Sequence, residues 1–209
     1  MYFSDLIPQE QSKWWFYEKN LIDESTMCKI DNYVKDKNLL PTFKPMMGRL
    51  GTFEDVGVIY DKDIRSCEIY WMHQEGDEDD LMPIYTEVTY KMRQVNDCMW
   101  KYRINGWEPF QYTQYDESYS GHFNWHIDVH PKFSVDDPDP RKLSFSVGLS
   151  DLNDYDGGDF MIKMDRNEEI FKLGRGDVIV FPSWMLHKVS PVTRGMRRTL
   201  VGWGNGPLL

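Results

Sequence analysis

From Trp100 to its C-terminus the chain is a succession of short β-type runs, each closed by turn residues, and few folds accept such a pattern. The runs read WKYRI, FQYTQY, HFNWHIDVH, LSFSVGLS, DFMIKM, EIFKL, DVIVF, HKVSPV and RTLVGW. Between them stand Asn105-Gly106, Asp156-Gly157-Gly158, Gly174-Arg175-Gly176 and Thr193-Arg194-Gly195. Regularly spaced short strands with Gly-rich turns specify a sandwich or a barrel. Composition agrees: the chain has no alanine, the strongest helix former, while its 8 Trp, 12 Tyr and 11 Phe favour sheet.

The first half reads differently. Residues 1–20 are aromatic and polar without a clear period and are expected to form an irregular or edge-strand entry. Met27, Ile30, Tyr33 and Val34, preceded by Asp23-Glu24-Ser25, predict an amphipathic helix that stops before Pro41. Arg65 to Trp71 reads as a strand, and Glu75 to Asp80, with five acids, as a solvated loop. After Pro83, Ile84, Val88, Met92 and Val95 predict a second helix ending near Asn96. At 209 residues, with no repeat or low-complexity linker, one domain is expected. In it residues 1–99 form a helical and strand support for a β core over 100–206.

The formal charge is −10, which disfavours nucleic acid and anionic membrane as partners. Glu75–Asp80 and Asp136–Asp139 supply eight of the acids, so the negative charge is concentrated rather than uniform. Cys28, Cys67 and Cys98 are odd in number and in no CxxC pair, so neither a disulfide framework nor a zinc ribbon is suggested. No apolar run approaches the roughly 20 residues that cross a bilayer, and the start lacks a signal-peptide pattern. A soluble, cytoplasmic protein is expected.

One segment carries chemistry. In Gly121 to His130, read at period 2, His122, Asn124, His126, Asp128 and His130 face one side and Phe123, Trp125, Ile127 and Val129 the other. This is a row of potential metal ligands on an apolar backing. A further histidine, His187, follows the buried-looking strand DVIVF, and His73 sits beside the acidic loop as a solvated residue. Two histidines and one carboxylate with positions left open form the ligand set of non-haem Fe(II).

His126-x-Asp128, His187 and then Arg197 in PVTRGMR closely resemble the 2-oxoglutarate and Fe(II)-dependent dioxygenases, in particular the prolyl 4-hydroxylase-like branch of bacteria and phage. FQYTQYDESYSGHFNWHID, DYDGGDF and GRGDVIVFPSWMLHKVSPVTRGMRRTLVGW are similar to blocks of that branch. The likeness covers roughly residues 60–206. It implies a mainly β fold with flanking helices around a double-stranded β-helix, a jelly-roll of cupin type. It also implies iron held by His126, Asp128 and His187, with 2-oxoglutarate chelating the iron and its far carboxylate on Arg197. Tyr115 and Ser146 would line the same pocket. The implied activity is hydroxylation of an unactivated C–H bond, with 2-oxoglutarate and O2 converted to succinate and CO2 and ascorbate as reductant. A peptidyl residue, proline foremost, is the implied substrate.

Alternatives remain at this stage. HIDVH by itself offers His126, Asp128 and His130, and His122 shares their face. An HxxxH pairing of His122 and His126 would need a helix, which the β-type neighbours do not suggest. Arg198 competes with Arg197, although adjacent strand residues face opposite ways and only one can point inward. A free amino acid or other small molecule is a rival substrate, and a non-catalytic binding module with a relic metal site is a rival class. The segment His130 to Lys142 follows the ligand strand and is expected to be either a substrate lid or a plain connection. Nothing in the sequence reads out the oligomeric state.

Overall fold

A computed structural model describes residues 14–36, 48–50, 59–61, 63–73, 78–129 and 139–207. Along the chain run β1 (Phe16–Glu18), α1 (Glu24–Asp36), β2 (Gly48–Leu50), β3 (Ile59–Asp61), β4 (Arg65–Ser66), β5 (Glu68–Met72) and α2 (Glu78–Met99). Then come β6 (Gly106–Trp107), β7 (Phe110–Asp116), β8 (His122–His126), β9 (Arg141–Gly148), β10 (Tyr155–Gly157) and β11 (Phe160–Met164). The last four are β12 (Asn167–Phe171), β13 (Val178–Pro182), β14 (Leu186–Val189) and β15 (Val192–Asn205).

The strands build two main antiparallel sheets. The larger has the order β1-β13-β9-β15-β7-β5, with β10 and β6 also paired to β15; the smaller has the order β12-β11-β14-β8-β4. Successive strands cross between them, β7 to β8, β8 to β9, β13 to β14 and β14 to β15, which is the wrapping of a double-stranded β-helix. No helix among the described residues is long and apolar enough to cross a membrane.

Strand alternation divides the large sheet into two faces. Phe110, Tyr112, Leu143, Phe145, Val147, Val178, Val180 and Leu200 form one core with Met27 and Ile30 of α1 and Leu81, Ile84, Val88 and Met92 of α2. The helices therefore cover the outside of this sheet. The alternate residues Ile179, Phe181 and Tyr115 meet Phe160, Ile162 and Val189 of the small sheet in a second core between the sheets. Polar residues of the same inward face, Gln111, Thr113, Ser144, Ser146, Arg197 and Thr199, are all buried. A polar strip on an inward sheet face is where a ligand pocket belongs.

Several local expectations are corrected. α2 starts at Glu78, five residues ahead of Pro83, so the second half of the acidic run is helix rather than loop. Acids in a first turn are stabilised by the helix dipole, and Asp79, whose carbonyl Pro83 leaves without its usual partner, is exposed to water. α2 also runs three residues past Asn96; the Asn96 amide closes its end by donating to the Tyr102 carbonyl at 2.8 Å and accepting from the Tyr102 N–H at 3.0 Å. WKYRI is not a strand, because Lys101 takes a left-handed conformation (φ 58°) directly after the helix. The expected strand from Arg65 to Trp71 breaks at Cys67, β4 joining β8 in the small sheet and β5 joining β7 in the large one. Of the proposed lid, residues 130–138 lie outside the described residues, and Arg141 already belongs to β9.

Candidate metal and 2-oxoglutarate site

β8 does not keep the uniform alternation expected of HFNWHIDVH. His126 pairs with His187 of β14, yet Val189 pairs with Phe123, so the register shifts and β8 carries a bulge. The bulge reverses parity: Phe123 stacks on His126, with ring centroids 3.4 Å apart and planes 13° from parallel, an odd offset on one face. His122 is thereby turned away, its Nδ1 against the Ser120 carbonyl at 2.8 Å and its Nε2 facing the Asp63 carbonyl at 3.4 Å. Asn124 uses its side-chain oxygen on the Trp125 N–H. The strand ends at His126, so Asp128 stands just beyond the ladder. His130 lies outside the described residues.

His126, Asp128 and His187 offer ligand atoms that all lie within 4.8 Å of one another, and this group could hold a metal ion. His126 Nε2 is 3.7 Å from Asp128 Oδ1, and His187 Nε2 is 3.6 Å from Asp128 Oδ2. Each imidazole is oriented by its other nitrogen. His126 Nδ1 meets the Asn124 carbonyl at 2.8 Å and His187 Nδ1 the Met185 carbonyl at 2.9 Å. A carbonyl only accepts, so Nδ1 carries the hydrogen and Nε2 presents a lone pair, the state a metal requires. Burial, reinforced by His187 alongside, takes the His126 imidazole down to about 3, which keeps it neutral. Burial pushes the Asp128 carboxyl up, but His187, His126 and the Ser144 hydroxyl outweigh it and hold the carboxyl below its usual range.

Arg197 lies on the inward face of the large sheet. It pairs directly with Tyr115 across the β15–β7 ladder, and its guanidinium carbon lies 5.2 Å from the centre of that ring. The side chain is 1% exposed, and among the described residues no carboxylate pairs with its guanidinium, whose polar neighbour is the Tyr155 hydroxyl. A buried charge left unpaired is costly. Its environment therefore fits an anion brought from outside, and a fork of N–H donors suits a carboxylate. Thr199, two residues on and on the same face, also has a buried unpartnered hydroxyl. Burial raises the Tyr115 phenol well above its ordinary value, so it remains a neutral donor.

The other candidates separate. Arg198 points to the helix side, where it lines a cleft with Asp31, Tyr112 and Gln114. Ser146 faces inward but pairs with Val201, farther along β15 than Arg197. Tyr112 packs against Tyr70 in the helix-side core. His73 is exposed.

Two features escaped the sequence reading. Ser144 donates to Asp128 Oδ2 at 2.7 Å; its inward position follows from the alternation of LSFSVG, but its meeting with Asp128 does not. Arg65 of β4 lies over the outer face of the Phe123 ring at 4.4 Å and donates from Nε to Cys67 Sγ at 3.0 Å, so guanidinium, phenyl ring and His126 imidazole are stacked in that order. Only the crossing of β4 to the small sheet brings Arg65 there.

Comparison with known families adds to this geometry. The 2OG-Fe(II) oxygenase superfamily model matches residues 110–205, which contain His126, Asp128, His187 and Arg197. The matched stretch is just under half of the chain, and over it the chain is similar to 2OG-Fe(II) oxygenases. Parts of the chain are similar to PKHD-type hydroxylases. That of Idiomarina loihiensis is 44% identical over 61 residues, covering 29% of this chain and 28% of the relative. That of Pseudomonas putida is 39% identical over 85 residues, covering 40% and 38%. The matches thus span between about a quarter and two fifths of these relatives' lengths.

Solved structures extend the likeness of fold to nearly the whole chain. A prolyl-4-hydroxylase of Pseudomonas putida superposes with a TM-score of 0.64 at 18% identity, covering 91% of each chain. A prolyl hydroxylase of Trichoplax adhaerens, in complex with a hypoxia inducible factor oxygen degradation domain peptide fragment, superposes with a TM-score of 0.70 at 18% identity, covering 97% of this chain and 88% of that one. A viral collagen prolyl hydroxylase from Paramecium Bursaria Chlorella virus-1, as its 2OG complex, gives 0.64 at 16% identity, covering 92% and 96%.

Proposed function

We propose that this protein is a 2-oxoglutarate- and Fe(II)-dependent dioxygenase that hydroxylates an unactivated C–H bond of a peptidyl residue, proline foremost, converting 2-oxoglutarate and O2 to succinate and CO2. The observation that carries the reading is the buried Arg197 guanidinium, which no carboxylate pairs among the described residues, together with the cluster of His126, Asp128 and His187. A relic module would not be expected to keep all four. The PKHD-type relatives and the peptide-bound structural neighbour favour a polypeptide substrate over a free amino acid.

The residues divide the work. His126, Asp128 and His187 would hold the iron on one side, leaving positions for ligands on the other. Arg197 would receive the far carboxylate of 2-oxoglutarate, with Tyr115 beside it as a neutral hydroxyl donor and Ser146 farther along the same inward face. Iron and 2-oxoglutarate together supply the activation of O2 and the oxidising equivalents. Phe123, stacked on the His126 ring, would restrict water around the metal ligands. Ascorbate would serve as an external reductant and has no assigned residue.

Under anaerobic conditions the purified protein with Fe(II) and 2-oxoglutarate should show a weak visible absorption band, and with O2 it should form succinate. Neither signal appearing would overturn the class. Incubation with a peptide panel and an amino-acid panel, read by mass spectrometry for the gain of one oxygen atom, tests the substrate. A product confined to the amino-acid panel would overturn the peptidyl reading.

A further inference from the structure

Asp128 has a positional problem that the two histidines do not. His126 and His187 stand opposite each other in a strand ladder, whereas Asp128 lies two residues past the end of β8. A carboxylate beyond its strand must be located by something else.

Two of its contacts lead to Ser183. The Asp128 N–H donates to the Ser183 carbonyl at 2.9 Å. The Asp128 carboxylate accepts at Oδ2 from Ser144 Oγ at 2.7 Å, and Ser144 Oγ lies 2.9 Å from Ser183 Oγ. Ser144 has one hydroxyl hydrogen. The carboxylate only accepts, so that hydrogen goes to Asp128 and Ser183 donates in turn to Ser144. Both hydroxyls are fully buried, and in this direction the relay is satisfied at each step. Ser183 begins the turn that leads from β13 to β14 and so to His187, and its own N–H is tied to the Lys142 carbonyl at 3.0 Å, beside the start of β9. The loop bearing Asp128 is pinned to the strands that bear Ser144 and His187.

The geometry points to a Ser183–Ser144 hydroxyl relay that positions the Asp128 carboxylate, through Oδ2, between His126 Nε2 and His187 Nε2. Ser144 and Ser183 are positioning residues, acting on the metal through Asp128. The inference rests on the reading of His126, Asp128 and His187 as metal ligands.

Co(II) titration of the apo protein, followed by its visible spectrum, tests the relay without turnover. The parent should bind Co(II) and H187A should not; a parent that binds none overturns the metal reading itself. With the parent binding, S144A should raise the Co(II) Kd by about 10–100-fold, the usual effect of losing a partner of a metal-ligating carboxylate. S183A should raise it less, because Ser144 keeps its bond to Asp128. S144T, which restores a hydroxyl on the same strand, should lie closer to the parent than S144A does. Thermal melts of each variant report folding separately. A folded S144A with an unchanged Kd overturns the relay, and so does an equal loss in S144A and S144T, which would mark a packing role instead.

Discussion

Arg197 and Tyr115 stand directly opposite each other in the β15–β7 ladder, and no carboxylate among the described residues pairs with the enclosed guanidinium beside that ring. Their neighbours on either strand, Arg198 and Gln114, face the helices instead. One turn of parity thus decides which arginine is enclosed. The enclosed charge weakens the empty fold and favours an incoming carboxylate.

Replacing Arg197 should therefore divide function from stability. R197M loses charge-assisted hydrogen bonds worth about 1.5–3 kcal/mol each, so the KM for 2-oxoglutarate should rise by roughly 100-fold or more. The same change removes a buried unpaired charge, and the protein without 2-oxoglutarate should become more stable by about 1–3 kcal/mol in urea unfolding. A destabilised variant with an unchanged KM would contradict the assignment.

The bulge in β8 predicts a clean separation of histidines. H126A and H187A should each abolish Co(II) binding, whereas H122A should bind it as the parent does, because the His122 ring is engaged by the Ser120 carbonyl outside the cluster. Equilibrium dialysis measures this directly.

Gly158 controls Arg197 by contact. It has φ +60°, and a Cβ built there would lie 2.8 Å from Arg197 Cδ and 3.0 Å from Val192 Cγ2. G158A should displace the arginine stem and raise the KM for 2-oxoglutarate about tenfold while leaving kcat less affected, since the metal ligands are untouched. The left-handed backbone adds a stability cost of about 1–2 kcal/mol.

Tyr85 gives a pH signature far from the site. Its hydroxyl donates to the Met72 carbonyl at 2.7 Å and accepts from the Phe110 N–H at 2.5 Å, tying α2 to the ends of β5 and β7. Burial pushes this phenol up to about 12 from its ordinary value of 10.0. The folded state therefore favours the neutral form, and its contribution is complete below pH 10 and is lost as pH rises through 12. Y85F leaves both backbone groups unpaired and should cost about 1–3 kcal/mol at neutral pH. Unfolding free energies across the alkaline range should fall less steeply for Y85F than for the parent.

Wherever one strand's own alternation decides the outcome, the sequence was enough. LSFSVG put Leu143, Phe145 and Val147 on one face and Ser144 and Ser146 on the other, and RGMRRTLVGW separated Arg197 from Arg198 in the same way, because side chains on a strand alternate whatever it pairs with. The short strands and Gly turns specified a two-sheet β architecture, and the spacing of His126, Asp128 and His187 marked three residues whose ligand atoms the structure brings within 4.8 Å of one another. What was decided by tertiary structure depends on pairing between distant strands. The bulge that turns His122 away exists because Val189 meets Phe123 rather than Asn124, and the break at Cys67 exists because Arg65 pairs with β8 while Glu68 pairs with β7. The bond from Ser144 to Asp128 and the isolation of the Arg197 guanidinium arise in the same way, from chain segments that approach each other only when the sheets close. A single strand's periodicity holds no information about its partner's register, and that register sets the final geometry of the site.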